Sequence, residues 1–114
     1  MPYIETVTNV KITDEKEKCI KEKLGKAIEI ISGKSEKWLM VNFSDEQRLY
    51  FHGDKDMPIC YSEVKIFGDV DREELESLTK RMCEIYKEEL DVESENTYVK
   101  YELSKTWGWN NMNF

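Results

Sequence analysis

Two stretches of helical period, each bounded on both sides by strand-like runs, constrain this chain more than any other feature. From Thr13 to Ile31 the apolar residues Ile20, Leu24, Ala27, Ile28 and Ile31 recur at helical spacing. From Asp71 to Leu90 so do Leu75, Leu78, Met82, Ile85, Tyr86 and Leu90. Residues three and four apart share one face of a helix, so each stretch carries an apolar stripe opposite a solvated Lys/Glu face. Thr13 is the expected N-cap of the first helix and Ser32-Gly33 its end, while Asp71 with Glu74 three residues on reads as a capping box. Pro2–Thr8 and Trp38–Phe43 flank the first helix, Ile59–Phe67 and Thr97–Tyr101 the second, and a short run, Arg48–Phe51, lies between the halves.

The chain thus reads β-α-β twice, with a repeat of about 57 to 60 residues. Tyr3-Ile4-Glu5-Thr6-Val7 has a counterpart in Tyr61-Ser62-Glu63-Val64, and Ser35-Glu36 in Ser94-Glu95. The expected fold is α+β: one domain over residues 1–114, with pseudo-repeats of about 1–57 and 58–114 forming a four-stranded sheet with both helices on one face. The opposite sheet face is expected to carry apolar residues that another copy covers.

Charge narrows the partners. The 114 residues carry a formal charge of −7 with 36% charged side chains, which speaks against nucleic acid, since phosphate binding needs a basic footprint. No apolar run approaches the roughly 20 residues of a membrane span, and no basic region followed by an apolar block marks a secretory signal. A cytoplasmic protein, or one released without a signal peptide, is the expectation. Cys19, Cys60 and Cys83 form no C-x-x-C pair and His52 is the only histidine, so neither a metal site nor a cofactor is expected.

Pro2 stands second in the chain, at the head of a strand-like run. Once Met1 is removed its nitrogen is a free secondary amine, which with a lowered pKa can take a carbon-bound proton near neutral pH. A proline that merely opens an edge strand, where its missing N–H does no harm, accounts for the position equally.

Taken together, Pro2, Gly33-Lys34, Phe51-His52-Gly53, Phe67-Gly68, Tyr98 and Gly108-Trp109-Asn110-Asn111 resemble, in order and from end to end, the macrophage migration inhibitory factor family of the tautomerase superfamily. The resemblance implies a homotrimer and cofactor-independent keto–enol tautomerase (isomerase) activity on 2-oxo acids such as phenylpyruvate. It makes Pro2 the acid–base catalyst. It makes Lys34 the partner of the substrate carboxylate and the Phe67 N–H a second donor to it. Tyr3, Trp38, Phe67, Trp107, Trp109 and Phe114 become the pocket's apolar neighbours. Tyr98 matches a tyrosine lent by a neighbouring subunit. Lys100 replaces an asparagine of animal members, and strand alternation sets it on the face of Tyr98, toward the site or toward solvent.

Two other functions compete. One is a cytokine-like or protein-binding trimer that meets a receptor and keeps a vestigial pocket. The other is a decarboxylase or dehalogenase of the same superfamily, but such relatives place arginines in the pocket, and Arg48, Arg72 and Arg81 match none of those positions.

Overall fold

The computed structural model describes residues 1–114. Its elements are β1 (Pro2–Thr8), α1 (Asp14–Ala27), β2 (Met40–Ser44), β3 (Cys60–Phe67), α2 (Arg72–Leu90), β4 (Thr97–Ser104), β5 (Gly108–Trp109) and β6 (Met112–Asn113). The first four strands form one sheet in the order β2-β1-β3-β4, and β5 and β6 make a separate small hairpin. Each β-α-β half contributes a parallel pair, β1 with β2 and β3 with β4, and the halves meet along the antiparallel β1/β3 ladder. The two copies of the Ser-Glu sequence fall in matching single 3-10 turns, Glu36–Trp38 before β2 and Ser94–Asn96 before β4.

Alternation along the central strands decides which face the helices cover. Ile4, Thr6 and Thr8 of β1 and Cys60, Ser62, Val64 and Ile66 of β3 are buried, and the residues between them are not. Ile20, Leu24, Ala27 and Ile28 of the first helical segment and Leu78, Met82, Ile85, Tyr86 and Leu90 of α2 close over that face in one apolar cluster. Such burial is worth about 1.5–3 kcal/mol for each large aliphatic side chain.

Several boundaries differ from the sequence reading. Thr13 caps α1 as expected, its side chain accepting from the Lys16 N–H at 3.2 Å. The α-helix itself ends at Ala27 and tightens into a 3-10 turn over Ile28–Ile30, which keeps Ile28 and Ile31 buried; Gly33 then turns the chain at φ +79°. Asp71 makes no side-chain capping bond, and the Glu74 carboxylate binds Ser32 instead of reaching back to Asp71. The left-handed end of α2 is Asp91, at φ +56°. Trp38 belongs to a 3-10 turn rather than to β2, and β4 runs on to Ser104. Arg48–Phe51 is not a strand: a single bridge joins Phe51 to Asp54 around a turn with His52 and Gly53 at positive φ.

The uncovered sheet face also differs from expectation. It carries rows of largely polar residues: Met40, Tyr3, Lys65 and Glu102; Asn42, Glu5, Glu63 and Lys100; Ser44, Val7, Tyr61 and Tyr98. Its middle is charged rather than apolar, since the alternation that buries Ile4 and Val64 puts Glu5, Glu63 and Lys65 outside. Glu102 lies between two lysines, 3.7 Å from Lys65 and 3.6 Å from Lys100.

One polar chain crosses the core. The Tyr86 hydroxyl donates to Ser62 Oγ at 3.1 Å, and Ser62 donates to the Glu5 carbonyl at 2.9 Å. With its one hydrogen given to Ser62, Tyr86 accepts from Thr6 Oγ1 at 2.7 Å. Burial pushes the Tyr86 hydroxyl well above the usual phenol range, so it stays a neutral donor. Tyr86→Phe removes one partner and leaves the Thr6 hydroxyl without an acceptor. Urea unfolding should show a loss of about 1–3 kcal/mol with an unchanged m-value.

Candidate active site

The first residue of β1 and the last but one of β3 are brought abreast by the antiparallel register, in which Pro2 faces Ile66 and Tyr3 faces Lys65. The N-terminus therefore arrives where β3 ends. Met1 is bonded to Pro2 here, so the Pro2 nitrogen is an amide and the free amine is that of Met1. The Met1 carbonyl accepts from the Phe67 N–H at 3.1 Å. Burial, then the charge of Lys34, then a hydrogen bond with Lys34 lower the terminal ammonium to about 6, from an ordinary value near 8.

Lys34 is delivered by the turn after α1. Its own N–H bonds the Ile31 carbonyl at 3.1 Å, and its ammonium donates to the Phe67 carbonyl at 3.1 Å. The turn is held from α2. One carboxylate oxygen of Glu74 accepts both the Ser32 N–H at 2.9 Å and the Ser32 hydroxyl at 2.7 Å. These bonds hold the Glu74 carboxyl below its usual range. The residue read as a cap of α2 thus anchors the loop that carries the lysine.

Beside Pro2 lies an open cleft of about 650 Å³, lined by Met1, Pro2, Tyr3, the segment Lys37–Met40, Lys65 and the tail residues Trp107–Trp109. Trp38 stands edge-on to Trp109, ring centres 5.2 Å apart. The Glu36 carboxylate of its turn packs onto α1 over Gly25, in space that a Cβ there would take. The tail folds back as a two-residue hairpin, with Asn110 at φ +54° and Asn111 at φ +67°. Asparagine tolerates this left-handed pair better than most residues, and the turn suits a two-residue loop. Phe114 closes the hairpin, its N–H on the Trp107 carbonyl at 2.9 Å and its ring 5.6 Å from Phe67.

The structure therefore brings together Pro2, Tyr3, Lys34, Trp38, Phe67, Trp107, Trp109 and Phe114. It does not bring Tyr98 or Lys100 to them within one chain. Tyr98 packs edge-on to Phe51 at 5.0 Å and lines a separate small pocket with Tyr50 and Tyr61, while Lys100 pairs with Glu102. Sequence reasoning missed Lys37, Leu39, Met40 and Lys65. The signal for Lys65 was present, since it lies two residues before Phe67 on one strand and so shares its face. Cys60 is buried and its thiol pushed far above the ordinary range by burial, then by Cys83; all three cysteines are free. No group of three or more His, Cys, Asp or Glu side chains is placed to hold a metal ion, and no helix is long and apolar enough to cross a membrane.

Asn111→Val should strain the hairpin, because a β-branched residue resists φ near +67°. Trp109 would then leave Trp38, read as a red-shifted and more quenchable tryptophan emission with far-UV dichroism preserved. Asn111→Gly should leave the emission unchanged.

The macrophage migration inhibitory factor (MIF) family model matches residues 1–112. Among solved structures, the crystal structure of Leishmania major MIF2 is 29% identical and covers 100% of this chain and 97% of its own, with a TM-score of 0.92. A macrophage migration inhibitory factor homologue from Prochlorococcus marinus is 25% identical over 98% of both chains, with a TM-score of 0.86. The macrophage migration inhibitory factor-like protein of Entamoeba histolytica shares the fold at 20% identity and a TM-score of 0.85, covering 99% of this chain and 98% of that one. No curated protein matches the chain. The chain belongs to the macrophage migration inhibitory factor family.

Proposed function

We propose that this member of the macrophage migration inhibitory factor family is a keto–enol tautomerase for 2-oxo acids of the phenylpyruvate type, with the amine of Pro2 as its base once Met1 is removed. The observation that carries the reading is the surroundings of the N-terminal amine: partial burial and the Lys34 ammonium keep it neutral near pH 7. A Pro2 amine in the same corner meets the same two influences. Both disfavour its ammonium, and a neutral amine is what proton abstraction requires.

The reaction follows from the donors. The substrate carboxylate takes the place of the Met1 carbonyl, against the Phe67 N–H and the Lys34 ammonium. Pro2 takes a proton from C3; the C–H electron pair becomes the C2–C3 double bond. The carbonyl oxygen gains a proton from water, and the Pro2 ammonium returns one to water. Nothing is consumed and no cofactor enters. A homotrimer fits this reading, since Tyr98 stands 60% exposed in one chain, away from that chain's own Pro2 cleft, and free to enter the cleft of another copy.

The second reading is a protein-binding trimer with an idle pocket, and it holds where Met1 is retained. While Met1 remains, no amine sits on Pro2 and the Phe67 donor is occupied. Intact mass separates the two readings before any assay. In Met1-free protein, Pro2→Gly should lower kcat/KM for phenylpyruvate by about 100-fold or more, within the usual contribution of a positioned base. An unchanged kcat/KM removes Pro2 from the chemistry.

Lys34→Ala should act on pH as well as on binding. The basic form of a depressed amine is populated above its pKa, so removing the cation raises that pKa. The rising limb of the kcat/KM profile should move to higher pH and KM for phenylpyruvate should increase. A limb that stays in place shows that Lys34 does not face the amine.

A further inference from the structure

The cleft beside Pro2 inverts the charge of the molecule that carries it. Acidic residues number 24 and basic residues 17 in the whole chain, yet the cleft wall holds Lys37 and Lys65 and no carboxylate. Lys34 adds a third ammonium at the N-terminal amine. Lys37 and Lys65 make no such close carboxylate bonds as Lys23 and Lys87 do. Lys23 and Lys87 donate hydrogen bonds of 2.6 to 2.8 Å to surface carboxylates. The Lys37 ammonium lies over the Trp38 ring, 5.1 Å from its centre, and that of Lys65 lies 6.0 Å from the centre of the Tyr3 ring. The one acid near Lys65 is Glu102, at 3.7 Å, beyond hydrogen-bond reach and shared with Lys100.

We propose that the cleft is built for a 2-oxo acid with a second carboxylate, held by Lys65 and Lys37 while Lys34 and the Phe67 N–H hold the first. This rests on the tautomerase reading and names its substrate class. Three features support it. Two ammoniums with donors to spare line the same wall as Pro2. Each cation lies over or beside an aromatic ring, Lys37 over Trp38 and Lys65 near Tyr3. A mobile diacid also finds no repelling carboxylate in the wall. Within one chain Lys65 and Lys37 line the Pro2 cleft, whereas Lys100, two strands from β1 on the same sheet face as Lys65, does not.

The test compares phenylpyruvate with 4-carboxyphenylpyruvate, which differ only in the second anion, on Met1-free protein. The ratio of their kcat/KM values should favour the dicarboxylate in 50 mM salt and fall several-fold in 500 mM salt, as screening demands. Lys65→Gln should lower the ratio about tenfold, through KM for the dicarboxylate, and Lys65→Gln with Lys37→Gln should abolish the preference. Glu102→Gln should raise the ratio by freeing Lys65. A ratio that stays within twofold of wild type in the double variant overturns the proposal. So does a ratio that falls with Lys100→Gln alone, which would place the second anion on a neighbouring copy. Absence of phenylpyruvate turnover with Met1 confirmed absent would sink the tautomerase reading instead. The anion site is then read from quenching of tryptophan emission by the two compounds, with the same variants and the same criterion.

Discussion

Everything at the site depends on the register of β1 against β3. These two strands join the halves of the molecule, and their pairing sets Pro2 opposite Ile66. A slip of β1 by one residue against β3 would turn Ile4 to solvent and Glu5 into the core, at the cost of burying a charge. The core therefore dictates the register, and the register delivers the N-terminus to Phe67 and Lys34. The buried chain from Thr6 through Tyr86 and Ser62 to the Glu5 carbonyl adds direction to this hydrophobic constraint, because it tolerates one alignment of the two strands under α2. The geometry of the N-terminal corner is here a by-product of keeping charges out of the interior.

The second dependence runs through Lys34. One ammonium touches the Phe67 carbonyl and lowers the proton affinity of the nearby amine. In the proposed reaction it would also attract the substrate. These tasks agree in sign: a cation that repels a proton from the base also attracts the carboxylate of the acid being deprotonated. The lysine can do both only if its loop is fixed, and the Glu74 carboxylate on Ser32 fixes it from the neighbouring helix. A surface hydrogen bond of little value to stability thus acquires value through what it positions.

The architecture was legible in the sequence because it rests on periodicity. The two amphipathic helices, the four strands and the Thr13 cap follow from spacing and side-chain chemistry alone. The misses share one physical cause, competition between local signals and distant partners. Glu74 has the spacing of a capping box, but the Ser32 N–H and hydroxyl offer it two bonds at once. Arg48–Phe51 has strand-like composition, but the turn at His52 and Gly53 leaves it no ladder to join. The uncovered face was expected to carry apolar residues. Only the register reveals that Glu5, Glu63 and Lys100 share its central row. Lys65 escaped notice because one lysine among many looks like a solvated face until the strand beside it is known.

Met1 sharpens the chemical argument. With it in place, an amide occupies the position of the base, and the Met1 carbonyl holds the Phe67 N–H that a substrate carboxylate would need. Removing one residue reverses both conditions together. It turns the Pro2 nitrogen from an amide into a secondary amine, and it frees a backbone donor beside an ammonium. Burial, and then Lys34, lower the Met1 amine to about 6. The two amines differ in reach. The Met1 amine lies one residue beyond the end of β1 on a flexible chain. A Pro2 amine would be fixed by its ring and by the ladder that begins at that residue. A base held by the sheet itself spends no freedom on finding the carbon it must deprotonate, which is the advantage of placing it at the first residue of a central strand.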